Sequence, residues 1–145
     1  MKLVRTFLLC LLLTWASGLA AQNLSQHRWE HRLIVLLTVD ASNEKLLEQK
    51  EWLLADTTGL NERKLLVYTI TPQQYTNDLQ RESWQAQEDV YQKLKKKNGP
   101  FEFLLIGLDG GIKLRKTAPV KLDDLYRLID SMPMRAAEIR RKNNE

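Results

Sequence analysis

The segment from residue 101 to residue 115 constrains the fold more than any other part of the chain. Its first six residues are nearly all apolar, which predicts a strand covered on both faces of a sheet. Asp109-Gly110-Gly111 then supplies the residues of a two-residue hairpin turn, because glycine adopts positive φ at little steric cost. Residues 112–115 alternate between apolar and basic, which predicts a half-exposed edge strand. A central strand therefore leads into an edge strand, and the rest of the chain must cover both faces of the sheet.

The first 21 residues differ from the rest of the chain. Lys2 and Arg5 precede an apolar run, and small residues follow it up to Ala20 and Ala21. This order is typical of a secretory signal peptide that is cleaved after Ala20 or Ala21. An uncleaved membrane anchor is the alternative, although the apolar run is shorter than the roughly 20 residues that span a bilayer. We expect a signal peptide over 1–21 and a mature domain over 22–145 without a stable membrane anchor. Its expected location is a bacterial periplasm, with secretion beyond the cell as the alternative.

Cysteine content and charge exclude several functions. Cys10 is the only cysteine of the sequence and lies in the apolar run, so the mature chain would have none. That excludes thiol–disulfide exchange, cysteine-based peroxide reduction and cysteine metal sites. Without Lys2 and Arg5, 20 basic residues face 18 acidic ones, and the net charge falls from +4 to about +2. This value is too small to indicate nucleic-acid binding.

The sequence predicts neither a metal site nor a cofactor. His27 and His31 are four residues apart, a spacing at which two histidines of a helix can share a metal. They precede a strand and lack a third ligand nearby in the sequence, so we interpret them as solvated or capping residues.

Two further apolar runs, over residues 33–40 and 64–71, predict buried strands on either side of a helix. The helix is predicted over about 43–56, with Ser42 or Asn43 able to cap it. Strand, helix and strand in this order form a βαβ unit with parallel pairing and a right-handed crossover.

The remaining elements follow from helical spacing. A second helix is predicted over 75–97, and a third over about 122–132 with a basic helical tail beyond it. The resulting order β, α, β, α, β, β, α predicts an α/β, thioredoxin-like fold, in which helices flank a four-stranded mixed sheet. Pro100 precedes the central strand, where thioredoxins have a cis-proline, and both peptide isomers remain open at this point.

Several short segments together resemble the DUF4174 family. They are Arg28-Trp29 and Arg32 before the first strand, Gln49 in the first helix, Glu62-Arg63 before the second strand, residues 105–107 and 109–115, residues 129–135 (Ile-Asp-Ser-Met-Pro-Met-Arg), and Glu138. The same domain occurs in sushi-repeat-containing extracellular proteins and in coiled-coil domain-containing protein 80 of animals. The resemblance implies a peroxiredoxin-related, thioredoxin-like fold and no particular activity. Leu108 departs from the family pattern, in which a lysine precedes the Asp-Gly-Gly turn.

Polar and charged residues of these segments form the candidate binding set. Its members are Gln49, Arg63, Asp109, Lys113, Arg115, Arg135 and Glu138. Either the cations line an anion-binding groove, or they pair with nearby acids and fix the ends of elements. No catalytic residue is predicted. Ser42 lies where thioredoxin-like enzymes have their reactive cysteine, but nothing near it in the sequence would activate its hydroxyl.

These observations favour a redox-inactive module that binds a protein or a component of the envelope or matrix. Recognition by a sheet edge or by a helix end is the expected mode of binding, and the edge at residues 111–115 is the candidate for addition of a partner strand. The alternative is a non-thiol enzyme of the cell envelope that uses Arg, Asp and Glu groups. Clustering of Gln49, Arg63, Asp109 and Arg135 in one deep pocket would favour that alternative. The oligomeric state stays open, including a purely oligomerising role.

Overall fold

The computed structural model describes residues 24–81 and 83–144. The strands are β1 (Arg32–Thr38), β2 (Leu65–Ile70), β3 (Gln74–Thr76), β4 (Gln85–Ala86), β5 (Phe101–Ile106) and β6 (Ile112–Lys116). The helices are α1 (Glu44–Ala55), α2 (Thr57–Glu62), α3 (Val90–Leu94), α4 (Leu122–Asp130) and α5 (Pro133–Asn143), and a 3₁₀ turn (Leu24–His27) precedes β1. The predicted signal peptide over 1–21, with its cleavage site at Ala20 or Ala21, lies outside the described residues. None of the helices described is long and apolar enough to cross a membrane.

The strands form one mixed sheet in the order β4-β3-β2-β1-β5-β6. β1 and β2 are parallel, and the other neighbouring strands pair antiparallel. The predicted mixed α/β architecture is therefore confirmed, with β6 at one edge. The sheet has six strands rather than the four that the sequence predicts, because β3 and β4 extend it beyond β2.

The prediction of a helix over residues 75–97 is wrong for most of that segment. Tyr75 pairs with Ile70 in the sheet instead. The carboxylate of Asp78 accepts hydrogen bonds from the backbone amides of Gln80 and Arg81, both at 2.9 Å. Such local side-chain bonds offer the backbone an alternative to helical pairing. Only α3 remains helical within this segment.

The central strands are buried on both faces, and all seven residues of β1 are buried. One face packs against α1, α2 and α4 through side chains that include Leu46, Leu60 and Ile129. The short α3 and the 3₁₀ turn cover the other face, where Tyr91 is buried. Helix α5 lies outside both clusters and has no buried residue.

The predicted hairpin of β5 and β6 forms, but the two-residue turn is wrong: the loop has five residues, 107–111, and the Gly107 amide donates to the Gly111 carbonyl at 2.8 Å across it. Asp109 accepts a hydrogen bond from the amide of Gly111 at 3.0 Å, and Gly110 has φ +82°, which suits glycine. The Gly99–Pro100 peptide that leads into β5 is trans.

Candidate functional site

The start of α1 is where thioredoxin-like enzymes have their reactive cysteine, and here it holds capping residues. Asn43 caps the helix by accepting hydrogen bonds from the amides of Lys45 and Leu46. Ser42 does not cap the helix, since its hydroxyl donates to Asp40 at 2.6 Å. Hydrogen bonds from the side chain and the backbone of Ser42 hold the pKa of Asp40 below its usual value, which makes this carboxylate a weak base. The site therefore offers neither a thiol nor an activated hydroxyl.

A cluster of charged side chains lies at the other end of the sheet, where β1 and β2 begin. We call it the ionic cluster, and it consists of Arg32, Arg63, Lys64, Asp130, Arg135 and Glu138. Arg63 donates to Asp130 at 2.7 Å, and Arg135 donates to the same carboxylate at 3.2 Å. The cluster thereby joins β1, β2 and the end of α4 to α5. The cluster therefore contributes to the attachment of α5, a helix with no fully buried residue.

The ionic cluster carries more positive than negative charge. Its four cations face the two carboxylates of Asp130 and Glu138. Burial would raise the pKa of Asp130, but the hydrogen bonds and charges of Arg63 and Arg135 outweigh burial and lower it. Arg63 also lies over the ring of Tyr126, with 3.9 Å between the guanidinium carbon and the ring centroid. Both carboxylates therefore act as structural counterions.

A cleft of about 470 Å³ opens beside the ionic cluster, between the β5–β6 loop and the junction of α4 and α5. We call it the Arg32 cleft. Five apolar residues line it: Leu108, Leu128, Met132, Pro133 and Met134. Its charged residues are Arg32, which is 1% exposed, and the pair of Asp109 and Lys113, whose charged atoms are 2.7 Å apart. Hydrogen bonds from Lys113 and then from the Gly111 amide lower the pKa of Asp109.

The structure divides the candidate binding residues among separate contacts. Arg63, Arg135 and Glu138 belong to the ionic cluster, and Asp109 and Lys113 line the Arg32 cleft. The sequence-based alternative in which these cations pair with acids and fix element ends describes the geometry better than an open anion-binding groove.

Arg115 has a different role from its neighbour Lys113. Its guanidinium donates to the carboxylate of Glu102, which is fully buried, and to the backbone carbonyl of Leu94 at 3.0 Å. Burial would raise the pKa of Glu102, but hydrogen bonds from Arg115, two backbone amides and Lys95 outweigh burial and lower it. Arg115 is thus the counterion of a core carboxylate.

Gln49 is buried away from the charged groups. Its side-chain amide accepts from the backbone N–H of Val120 at 2.6 Å and donates to the carbonyl of the same residue at 3.1 Å. It therefore ties α1 to the segment that leads into α4. The four residues whose clustering would favour a non-thiol enzyme do not share a pocket.

Two charged residues matter here that the candidate set lacks. Arg32 links the ionic cluster to the cleft, and Glu102 holds Arg115. Each was visible in the sequence as a charge at the start of, or within, an otherwise apolar strand.

The two histidines pack against each other and against the sheet. Their ring centroids are 5.9 Å apart, and His27 shares a hydrogen bond of 2.7 Å with the Tyr68 hydroxyl. Burial, together with the charge of His31, lowers the pKa of His27. The described residues contain no group of three or more His, Cys, Asp or Glu side chains able to hold a metal.

Comparison with known proteins agrees with this architecture. A reduced 2-Cys peroxiredoxin from Plasmodium vivax has a similar structure, with a TM-score of 0.51 and 13% sequence identity over 83% of this chain and 85% of that chain. This similarity shows a peroxiredoxin-like, thioredoxin-type fold. Comparison with curated proteins gives no match. The model of a domain of unknown function, DUF4174, matches residues 23–138. The chain therefore belongs to the DUF4174 family.

Proposed function

We propose that this protein is an exported, redox-inactive module that binds a partner protein. A strand of the partner would pair with the open edge of β6. The observation that carries the proposal is the position of β6. Among the described residues it pairs with β5 alone, which leaves its other edge open along Ile112–Lys116. An edge strand presents backbone N–H and C=O groups to which an extended segment can bind.

The side chains of β6 favour an acidic partner strand. Lys113 and Lys116 are exposed, and Ile112 is 46% exposed. Lysines on an edge strand disfavour the pairing of two copies of the same edge, because their charges repel one another. An incoming strand with Asp or Glu residues would meet the opposite charge, which supports binding of a different protein over self-association.

A groove beside β6 supports the same mode of binding. It has a volume of about 600 Å³, and its lining includes Leu114, Pro119 and Val120 together with Lys116. Alternate side chains of an added strand point to one face of the sheet, so this groove would receive one set of them. Backbone pairing would supply affinity, and the groove would supply selectivity.

Export rests on the sequence pattern of residues 1–21. The non-thiol enzyme gains no support from the geometry, since Gln49, Arg63 and Asp109 each have a separate structural partner. A binding role is also consistent with the capped start of α1, where a thioredoxin-like enzyme would have its reactive thiol.

The test is capture of a partner from envelope extract by the purified protein, followed by hydrogen exchange of the complex. Lys116→Glu reverses a charge on β6. Arg140→Glu makes the same charge change on the exposed end of α5 and is the matched control. We expect capture by the wild-type protein and by Arg140→Glu, and loss of capture by Lys116→Glu. The amides of residues 112–116 that point away from β5, which are every second one along the strand, should exchange more slowly in the complex, because they would donate to the partner strand.

Two results would count against strand addition. The first is equal capture by Lys116→Glu and by the wild-type protein. The second is protection of amides outside β6 with none within it. Arg115→Glu is unsuitable as a test, because it would place a second negative charge beside the buried Glu102.

A further inference from the structure

We propose that the Arg32 cleft is a binding site for a small amphipathic carboxylate, a molecule with one carboxylate and an apolar body. This proposal does not depend on strand addition at β6. It rests on the unfilled hydrogen-bonding capacity of Arg32, on the charges at the cleft and on its apolar wall.

Arg32 is buried, yet only part of its guanidinium is satisfied. Nη1 donates to the carbonyl of Arg63 at 3.0 Å and to Glu138 at 3.3 Å, and Nη2 donates a long hydrogen bond to Glu138 at 3.5 Å. Nε is buried and has no hydrogen-bond partner in the described part of the chain. A charged donor without an acceptor is costly in the interior, and guanidinium N–H groups match the two oxygens of a carboxylate. Arg32 lines the cleft, and the Nε–Nη2 edge is the part of its guanidinium that still has a donor to offer to an anion.

The charges at the cleft favour a bound molecule with one negative charge over a molecule with two. Lys113 already pairs with Asp109 at 2.7 Å, so its ammonium is largely neutralised. Asp109 is ionised at neutral pH and would repel a second negative charge on a bound molecule. A dianionic phosphate would therefore bind less well than a carboxylate, which needs only the free edge of Arg32.

The rest of the cleft is suited to an apolar body. Leu108 is 5% exposed and forms one wall, and Met132 and Met134 lie on the opposite side. Methionine side chains are flexible and polarisable, so they adapt to apolar groups of different shape. A volume of about 470 Å³ falls within the range of roughly 300–1,000 Å³ that is typical of small-molecule sites.

The experiment is titration of the purified, ¹⁵N-labelled protein, followed by amide chemical shifts. Octanoate is the first probe, and octanamide is its neutral counterpart of the same size. N-acetyl-leucyl-phenylalanine with a free carboxylate, compared with its C-terminal amide, tests whether the carboxylate belongs to a peptide end. We expect saturable shifts at residues 107–109 and 132–134 with at least one acid. Its neutral counterpart should bind about tenfold more weakly or worse.

Variants separate this site from binding elsewhere. Met134→Glu places a negative charge at the cleft, on a residue that is 42% exposed, so folding should be retained. Leu47→Glu makes the same kind of change on α1, at a residue that is 50% exposed, and is the control. We expect binding to weaken about tenfold in Met134→Glu and to stay within about twofold in Leu47→Glu. Arg32→Lys keeps the positive charge but removes the paired N–H donors of the guanidinium, and it should also weaken binding about tenfold.

Three outcomes would overturn the proposal. They are the absence of saturable shifts with both acids, equal binding of acid and neutral amide, and unchanged binding in Met134→Glu. If the octanoate pair discriminates and the peptide pair does not, the site takes free acyl carboxylates. The reverse result would assign the site to peptide ends.

Discussion

Substitution of Arg115 by methionine tests whether this cation supports the core. The Glu102 carboxylate is fully buried and accepts from Arg115, from Lys95 at 3.3 Å and from the amides of Lys96 and Lys97 at 3.2 and 3.3 Å. Removal of one partner from a buried ion pair costs about 3–5 kcal/mol. Since Lys95 and the two amides remain, we expect the lower end of this range, a loss of about 3 kcal/mol in the free energy of unfolding.

Urea denaturation measures this loss. For a domain of this size the slope of the unfolding free energy is about 1–3 kcal/mol per molar urea, so the midpoint should fall by about 1–3 M. Lys113→Met is the matched control, two residues away on the same strand. The pair of Lys113 with Asp109 is solvent-exposed, with side chains 36% and 43% accessible, and its loss should cost less than about 1 kcal/mol.

A double variant identifies the physical cause. Glu102→Leu combined with Arg115→Met removes both charges, so no uncompensated carboxylate stays in the core. Replacement of both members of a buried pair by apolar groups is often neutral. Because Lys95 and the amides of Lys96 and Lys97 would lose their acceptor as well, the double variant should recover part of the lost stability. The reasoning is refuted if Arg115→Met is no more destabilising than Lys113→Met. It is also refuted if the double variant is at least as unstable as the single one.

Three further predictions follow from the contacts and from the sequence. Gln49→Leu should lower the free energy of unfolding by about 1–3 kcal/mol, because it leaves a buried backbone N–H and C=O unpaired; thermal unfolding measures this loss. Because the pKa of Asp130 is lowered in the folded protein, its carboxylate contributes stability at neutral pH, and this contribution is lost as the pH falls through the lowered pKa. Asp130→Asn should therefore make the free energy of unfolding depend less on pH in the acid range, as measured by urea denaturation at several pH values. Mass spectrometry of the protein from its native host should show a chain that starts at Ala21 or Gln22, and the mass of the uncleaved chain would contradict the predicted cleavage of the signal peptide.

Most of the fold was predictable because buried strands leave a strong pattern in the sequence. β1, β2 and β5 are nearly continuous apolar runs, and the turn residues after β5 indicate the hairpin. β3 and β4 have three and two residues, too few for the alternation that marks a strand. Their segment has a helical composition, and pairing with β2 overrides it.

The site was harder to predict because its contacts join distant parts of the chain. Arg63 and Asp130 are 67 positions apart, and Arg32 and Glu138 are 106 apart. A sequence pattern shows that these residues are charged, but the partner and the burial of each charge depend on how the helices pack. An arginine at the start of a buried strand therefore cannot be placed at a cleft before the position of α5 is known.

The pair of Glu102 and Arg115 is an exception, because the register of the hairpin is enough to explain it. Arg115 lies opposite Leu104 in the observed register. Glu102 is two residues from Leu104, and residues two apart share one face of a strand, so Glu102 and Arg115 are diagonal neighbours. A carboxylate within a buried strand needs a cation or several hydrogen-bond donors close by. These two rules assign Arg115 to the core. They leave Lys116 as the cation of β6 that an acidic partner strand can reach, because Lys113 already pairs with Asp109.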